Sequence, residues 1–169
     1  MKIDGVPYRT LWPSADGEAV EILDQTRFPH HFETLRLERM EDAARAIRVM
    51  QVRGAPLIGA TAAYGLALAL REDGSDAGLA KAAEVLLATR PTAVNLHWAL
   101  ERMKAKLKGV APQERAAAAW AEAAALCDED VAINSAIGDH GLGIIREIAA
   151  RKGGEPVRIL THCNAGWLA

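Results

Sequence analysis

The apolar positions change their spacing along this chain, and each change predicts a different element. Near the start, "YRTLW" (8–12) and "AVEILD" (19–24) are short runs rich in β-formers, separated by the turn-forming "PSADGE". "HFETLRL" (31–37) alternates roughly apolar and polar, so it reads as a third strand of one small antiparallel sheet. From Met40 the period lengthens: Met40, Ala43, Ala44, Ile47 and Met50 recur at helical spacing, and Glu41 precedes Arg45 by four, the orientation that favours a helix. "VRGAP" closes this segment, and Pro56 suits the first turn of the next helix, where an N–H has no internal partner in any case. From 57 to 70 the chain is apolar nearly all round, with Gly59 and Gly65 inside, which predicts a central, closely packed helix.

Further helices are predicted over about 76–89, 93–108 and 112–151. The last contains "QERAAAAWAEAAAL", biased toward the best helix former, and carries a stripe through Trp120, Ala124, Cys127, Val131, Asn134, Gly138, Gly141, Ile145 and Ile148. Gly138 and Gly141 each cost about 1 kcal/mol relative to alanine in a helix. Either another backbone approaches closely there, or the helix breaks at "GDHG"; a break or kink is the expectation. Asn134, if buried, needs a hydrogen-bond partner. "KGGEP" (152–156) is a linker, and "VRIL" (157–160) reads as the first strand of an α/β region. The divisions expected are a small antiparallel β region over 1–38, a helical domain over 39–151, and a linker, strand and loop over 152–169.

Composition narrows the classes. Half of the 169 residues are apolar and a quarter are charged, ordinary for a globular chain that can bury a core without staples. The formal charge of −2 lacks the basic excess that a nucleic-acid groove needs. No apolar run is long enough to span a bilayer, and "MKIDGVPYRT" lacks the core of a signal peptide. The two cysteines, Cys127 and Cys163, are far apart and outside any ligand-like cluster, which reads as a reduced, cytoplasmic protein.

Three stretches can carry chemistry. At "RGAP" (53–56), a helix start exposes unpartnered N–H groups and a positive dipole end, Gly54 and Ala55 let an anion approach, and Arg53 adds a planar fork suited to phosphate. The alternative is a plain interhelical turn with a surface arginine. At "RPTAVNL" (90–96), Arg90 precedes a proline and so sits in a connection, with Thr92 placed to cap the next helix. It can reach the same anion, or it is a solvated arginine in a capped turn. At "THCNAGWLA" (161–169), Cys163 lies just beyond a strand's carboxyl end, where open α/β sheets bind ligands, and Asn164, Ala165 and Gly166 leave their N–H groups accessible. A cysteine there can act as nucleophile, acid or base, or be an inert packed thiol. A zinc site at His162 and Cys163 is disfavoured, because neighbours on a strand point to opposite faces. Cys127 lies on the helical stripe and reads as packing; His30, His31, His97 and His140 are scattered.

Taken together, "VRGAPLIG" (52–59), "RPTAVNL", "NSAIGDHG" (134–141) and "THCNAGWLA" resemble the 5-methylthioribose-1-phosphate isomerase family. That family is related to the regulatory subunits of initiation factor 2B and to ribose-1,5-bisphosphate isomerases. The resemblance runs over essentially the whole chain. It implies an α/β protein whose carboxyl-terminal part is Rossmann-like, homodimeric, and an aldose–ketose isomerase of methionine salvage with no organic cofactor. It implies substrate-binding roles for Arg53, Gly54, Ala55 and Arg90, and a catalytic role for Cys163. The family's aspartate, glutamine and Asn-Lys pair fall further along than these 169 residues. The chain is therefore expected to be the amino-terminal portion of a longer isomerase, inactive alone, with exposed apolar surface that associates either as a homodimer or with the carboxyl-terminal half. A non-catalytic scaffold subunit and a ribose-1,5-bisphosphate isomerase are the alternatives.

Overall fold

The computed structural model describes residues 2–162, Gly166 and Leu168. The short strands come first. β1 (Lys2–Ile3) and β2 (Val6–Pro7) form an antiparallel hairpin whose tight turn places Asp4 and Gly5 at positive φ, 50° and 82°. β3 (Leu11–Pro13), β4 (Val20–Leu23) and β5 (Thr34–Leu37) form a second antiparallel sheet in the order β3-β4-β5. There are thus two small sheets where one was expected. The register pairs Leu11 with Ile22 and Val20 with Leu37, so these four apolar side chains share the face that enters the core. Outward-facing Glu21 accepts a hydrogen bond from the Trp12 indole N–H at 2.7 Å.

Five helices follow: α1 (Met40–Arg48), α2 (Ala55–Glu72), α3 (Asp76–Leu87), α4 (Val94–Leu107) and α5 (Arg115–Arg151), the last entered through a 3₁₀ turn at Pro112–Glu114. α2 is buried on nearly every side and packs against α1, α3, α4, α5 and β3. Its glycines explain the closeness. A Cβ on Gly65 would fall 2.8 Å from the Ala43 Cβ on α1 and 3.2 Å from Leu86 on α3. A Cβ on Gly59 would meet the Asn95 carbonyl of α4 at 3.2 Å. The small β sheet and the helices share one apolar core.

Two expectations are corrected. First, α5 is one continuous helix of 37 residues, about 55 Å long, with no break at "GDHG". Nothing among the described residues lies within 4 Å of a Cβ built on Gly138 or Gly141, so no crossing backbone forces a bend, and no proline removes a helical hydrogen bond. Only the first part of the helix is covered: Ala119, Ala123 and Leu126 enter the core, whereas Val131, Ile133, Ile137 and Ile144 are half or more exposed. Asn134 is exposed and finds its partner one turn back, donating to the Asp130 carbonyl at 2.9 Å and carboxylate at 3.1 Å. Second, 157–160 forms no strand; the segment is irregular, with Leu160 98% exposed. An apolar run becomes a strand only by pairing with another strand, and among the described residues this segment pairs with neither small sheet.

Candidate functional site

The entrance to α2 is built by an unusual run of backbone. Met50 follows α1 in the left-handed region, φ 63°, and Gly54 sits at φ 105°, a conformation that a residue with a Cβ rarely adopts. From there the Gly54 carbonyl accepts the Ile58 N–H at 3.0 Å and the helix begins, with Pro56 inside its first turn. Among the described residues no side chain caps this end and no acidic residue occupies its first turn. The N–H groups of Ala55 and Leu57 have no intrahelical acceptor by construction, and the dipole end stays positive. Arg53 and Ala55 are exposed beside it, and Gly54 is partly so.

The second arginine lies at the same end of the bundle. Arg90, half-buried, occupies the turn between α3 and α4, and its carbonyl accepts the Ala93 N–H at 3.0 Å. The close approach of Gly59 to Asn95 sets the first turn of α4 against the second turn of α2. Both helix starts are therefore within about a turn of one contact, and the 53–55 and 90–93 stretches are gathered rather than opposed. Thr92 does not cap α4: Ala93 holds that position, without a side-chain hydrogen bond, because the chain turns one residue later than the motif suggested.

Beside the α2 entrance is a cavity of about 140 Å³ between β3, α2 and α5. Its apolar wall is Leu11, Pro56, Leu57, Ala60, Leu126 and Val131. Arg9 lines its mouth and forms an ion pair with Asp128 at 2.8 Å. Burial pushes the Cys127 thiol up to about 11, so it is protonated and unreactive near neutrality, in keeping with a packing role. Desolvation also raises the carboxyl of Asp130 on the same wall, while its hydrogen bond from Asn134 opposes that rise.

Cys163, Asn164 and Ala165 lie outside the described residues. Of the same stretch, Thr161 and His162 are exposed and irregular, and the Leu168 carbonyl accepts a hydrogen bond from the Gln25 amide at 2.6 Å. Among the described residues there is no cluster of three or more metal-ligating side chains and no helix long and apolar enough to cross a membrane. Sequence reading missed Asp24 and Gln51, whose side chains meet at 3.2 Å just before Arg53. The available signal was an acidic residue ending an apolar strand, immediately before Gln-Thr.

The architecture is a helical bundle with appended antiparallel strands, in which α2 begins without a side-chain cap beside the exposed Arg53. Residues 51–169 match the model of the Initiation factor 2 subunit family. The chain belongs to that family. Relatives include an uncharacterized protein in the petC 3' region of Rhodospirillum rubrum, 63% identical over the whole chain and 95% of the relative. Methylthioribose-1-phosphate isomerases from R. rubrum and from Methylorubrum populi are each 63% identical over the whole chain, which covers 45% and 46% of them respectively. The chain thus spans about half the length of these isomerases. Two solved structures superpose with TM-scores of 0.66: 5-methylthioribose 1-phosphate isomerase from Pyrococcus horikoshii OT3, 37% identical over 73% of this chain and 36% of that one, and translation initiation factor eIF-2B subunit delta from A. fulgidus, 39% identical over 74% and 38%.

Proposed function

We propose that this chain carries the phosphate-binding part of an aldose–ketose isomerase that converts 5-methylthioribose 1-phosphate to 5-methylthioribulose 1-phosphate in methionine salvage. The observation that carries the reading is the contact of Gly59 with Asn95, which brings the Arg53 and Arg90 turns toward one end of the bundle, at a helix whose own first turn holds no acidic residue. The names of the 63%-identical relatives supply the substrate. On this reading Arg53, Arg90 and the N–H groups near Gly54 and Ala55 bind the phosphate, and the neighbouring cavity receives the methylthio end. Its apolar wall suits a thioether, and the Asp130 carboxylate disfavours a second phosphate, which argues against the ribose-1,5-bisphosphate alternative.

The chemistry follows from the substrate. Phosphate on the anomeric oxygen blocks ring opening by simple loss of a hemiacetal proton. An acid must protonate the ring oxygen, and hydrogen must move from C2 to C1, as a proton or as a hydride. Cys163 is the proposed proton-handling or charge-stabilising group on this chain, and fixing the non-reacting phosphate orients the carbons. The reading needs no organic cofactor, and places the protein in the cytoplasm, with a β region at 1–38, a helical domain at 39–151, and the opening of a Rossmann-like domain at 152–169. Association as a homodimer or with a carboxyl-terminal catalytic half belongs to the same proposal.

Calorimetric titration with 5-methylthioribose 1-phosphate tests it. Arg53→Ala is expected to weaken binding by about tenfold, the loss of one charge-assisted contact; equal affinity removes the phosphate role. A scaffold reading is favoured by one observation, the uncovered apolar side of α5, and by the similarity to an initiation-factor subunit. Product formation from 5-methylthioribose 1-phosphate by a full-length isomerase-like form, with loss of turnover in Cys163→Ala, decides between the two.

A further inference from the structure

The turn that follows β4 has no assigned part in the site, yet it is bonded to the site's backbone. Asp24, at the end of β4, is only 5% exposed. Its Oδ1 accepts both the N–H and the O–H of Thr26, at 2.9 and 2.6 Å. Its Oδ2 accepts the side-chain amide of Gln51 at 3.2 Å. In the same turn the Gln25 N–H donates to the Gln51 carbonyl at 3.0 Å. Gln51 is thereby held by side chain and backbone together, two residues before Arg53. Its own N–H returns to the Ala46 carbonyl at 2.9 Å, which ties the other side of the loop to α1.

We infer that Asp24 and Gln51 are positioning residues for the anion-binding entrance of α2, a role that rests on the proposed function. The loop they hold is bracketed by two positive-φ residues, Met50 and Gly54, and its Val52 side chain is fully buried. Such a backbone is costly when loose and persists when the surroundings over-determine it. The latch fixes the course of the α1–α2 loop ahead of Arg53, and with it the angle at which the first N–H groups of α2 face solvent. The same turn also reaches Leu168 through the Gln25 amide, so it spans from the α2 entrance to the last stretch of the chain.

The test exchanges donor and acceptor. Gln51→Glu sets two carboxylates together, and Asp24→Leu leaves the Gln51 amide without its acceptor; each is expected to weaken inorganic phosphate binding, read by calorimetry, by roughly three- to tenfold, the worth of a buried hydrogen bond lost. In the double variant Asp24→Asn with Gln51→Glu, the asparagine amide donates to the glutamate while its oxygen still serves Thr26, and affinity is expected to return to within about twofold of the parent. Hydrogen exchange of the 51–54 amides should rise in each single variant and recover in the double one, at constant global stability. Single variants with parental affinity and parental exchange overturn the positioning role and leave the proposed function standing. Parental protein that fails to bind phosphate sinks the proposed function, while the exchange pattern still decides whether the latch orders the loop. A double variant as weak as either single one overturns the pairing itself.

Discussion

α2 and α5 are both alanine-rich, both apolar and both interrupted by glycine, yet their glycines do opposite things. In α2, Gly59 and Gly65 mark where α4, α1 and α3 come within reach of the backbone. In α5, Gly138, Gly141 and Gly143 face open space, and the apolar side chains around them stay exposed. A glycine inside a helix therefore carries no meaning by itself. What decides is whether a neighbouring element occupies the space that a Cβ would take, and that is a property of the assembled fold.

The contrast is strongest between the two parts of α5. Leu126→Ala, in the covered part, is expected to lower unfolding free energy by about 2–5 kcal/mol, since it leaves a cavity in the shared core. Ile137→Gln, in the uncovered part, should change it by less than about 0.5 kcal/mol. Urea denaturation of the two variants measures both, and a comparable loss at Ile137 would show that its side is covered in solution. Next in size is the pair of glycine substitutions. Gly65→Ala should destabilise by about 1–3 kcal/mol, because its methyl group collides with Ala43. Gly138→Ala should stabilise by up to about 1 kcal/mol through helix propensity alone. Opposite signs sustain the comparison, and equal signs break it.

A smaller effect marks the edge of the covered region. Burial raises the Cys127 thiol in the folded state to about 11, so the unfolded chain ionises first as pH rises. The folded state binds more protons through that window, and stability must fall between about pH 9 and 11, by at most about 1.4 kcal/mol per pH unit. Burial pushes Tyr64 in the same direction, steepening the fall above the ordinary tyrosine range. Cys127→Val should flatten the slope near pH 9–10, measured by denaturant titration at stepped pH; an unchanged slope there would mean the thiol is solvated.

This also shows what was readable beforehand. Two strands of the larger sheet and the central helix were legible because their apolar period is local and strong: Val20 and Ile22 alternate with Glu21, Leu35 and Leu37 with Arg36, and 57–70 is apolar nearly all round. The continuity of α5 was not, because the glycine signal at "GDHG" depends on neighbours that sequence does not place. The "VRIL" segment failed for the same reason in β form, since a strand is defined by its partner. Of the site, the residue types at 53–55 and 90 were legible, but their convergence came from Gly59 meeting Asn95, a contact 36 positions apart in the chain. The Asp24–Gln51 bond, spanning 27 positions, left no periodic trace.

The uncovered part of α5 makes the helix a cantilever. Beyond Val131 about twenty residues, some 30 Å, extend past the core. Its root is clamped by Arg102 on α4, which donates to Glu122 at 2.7 Å and to Glu129 at 2.8 Å, with Lys106 adding a second cation at Glu122. Raised salt, which screens exposed charges first, should weaken the Arg102 contact with the exposed Glu129 before the one with the mostly buried Glu122, leaving the apolar root of the beam seated.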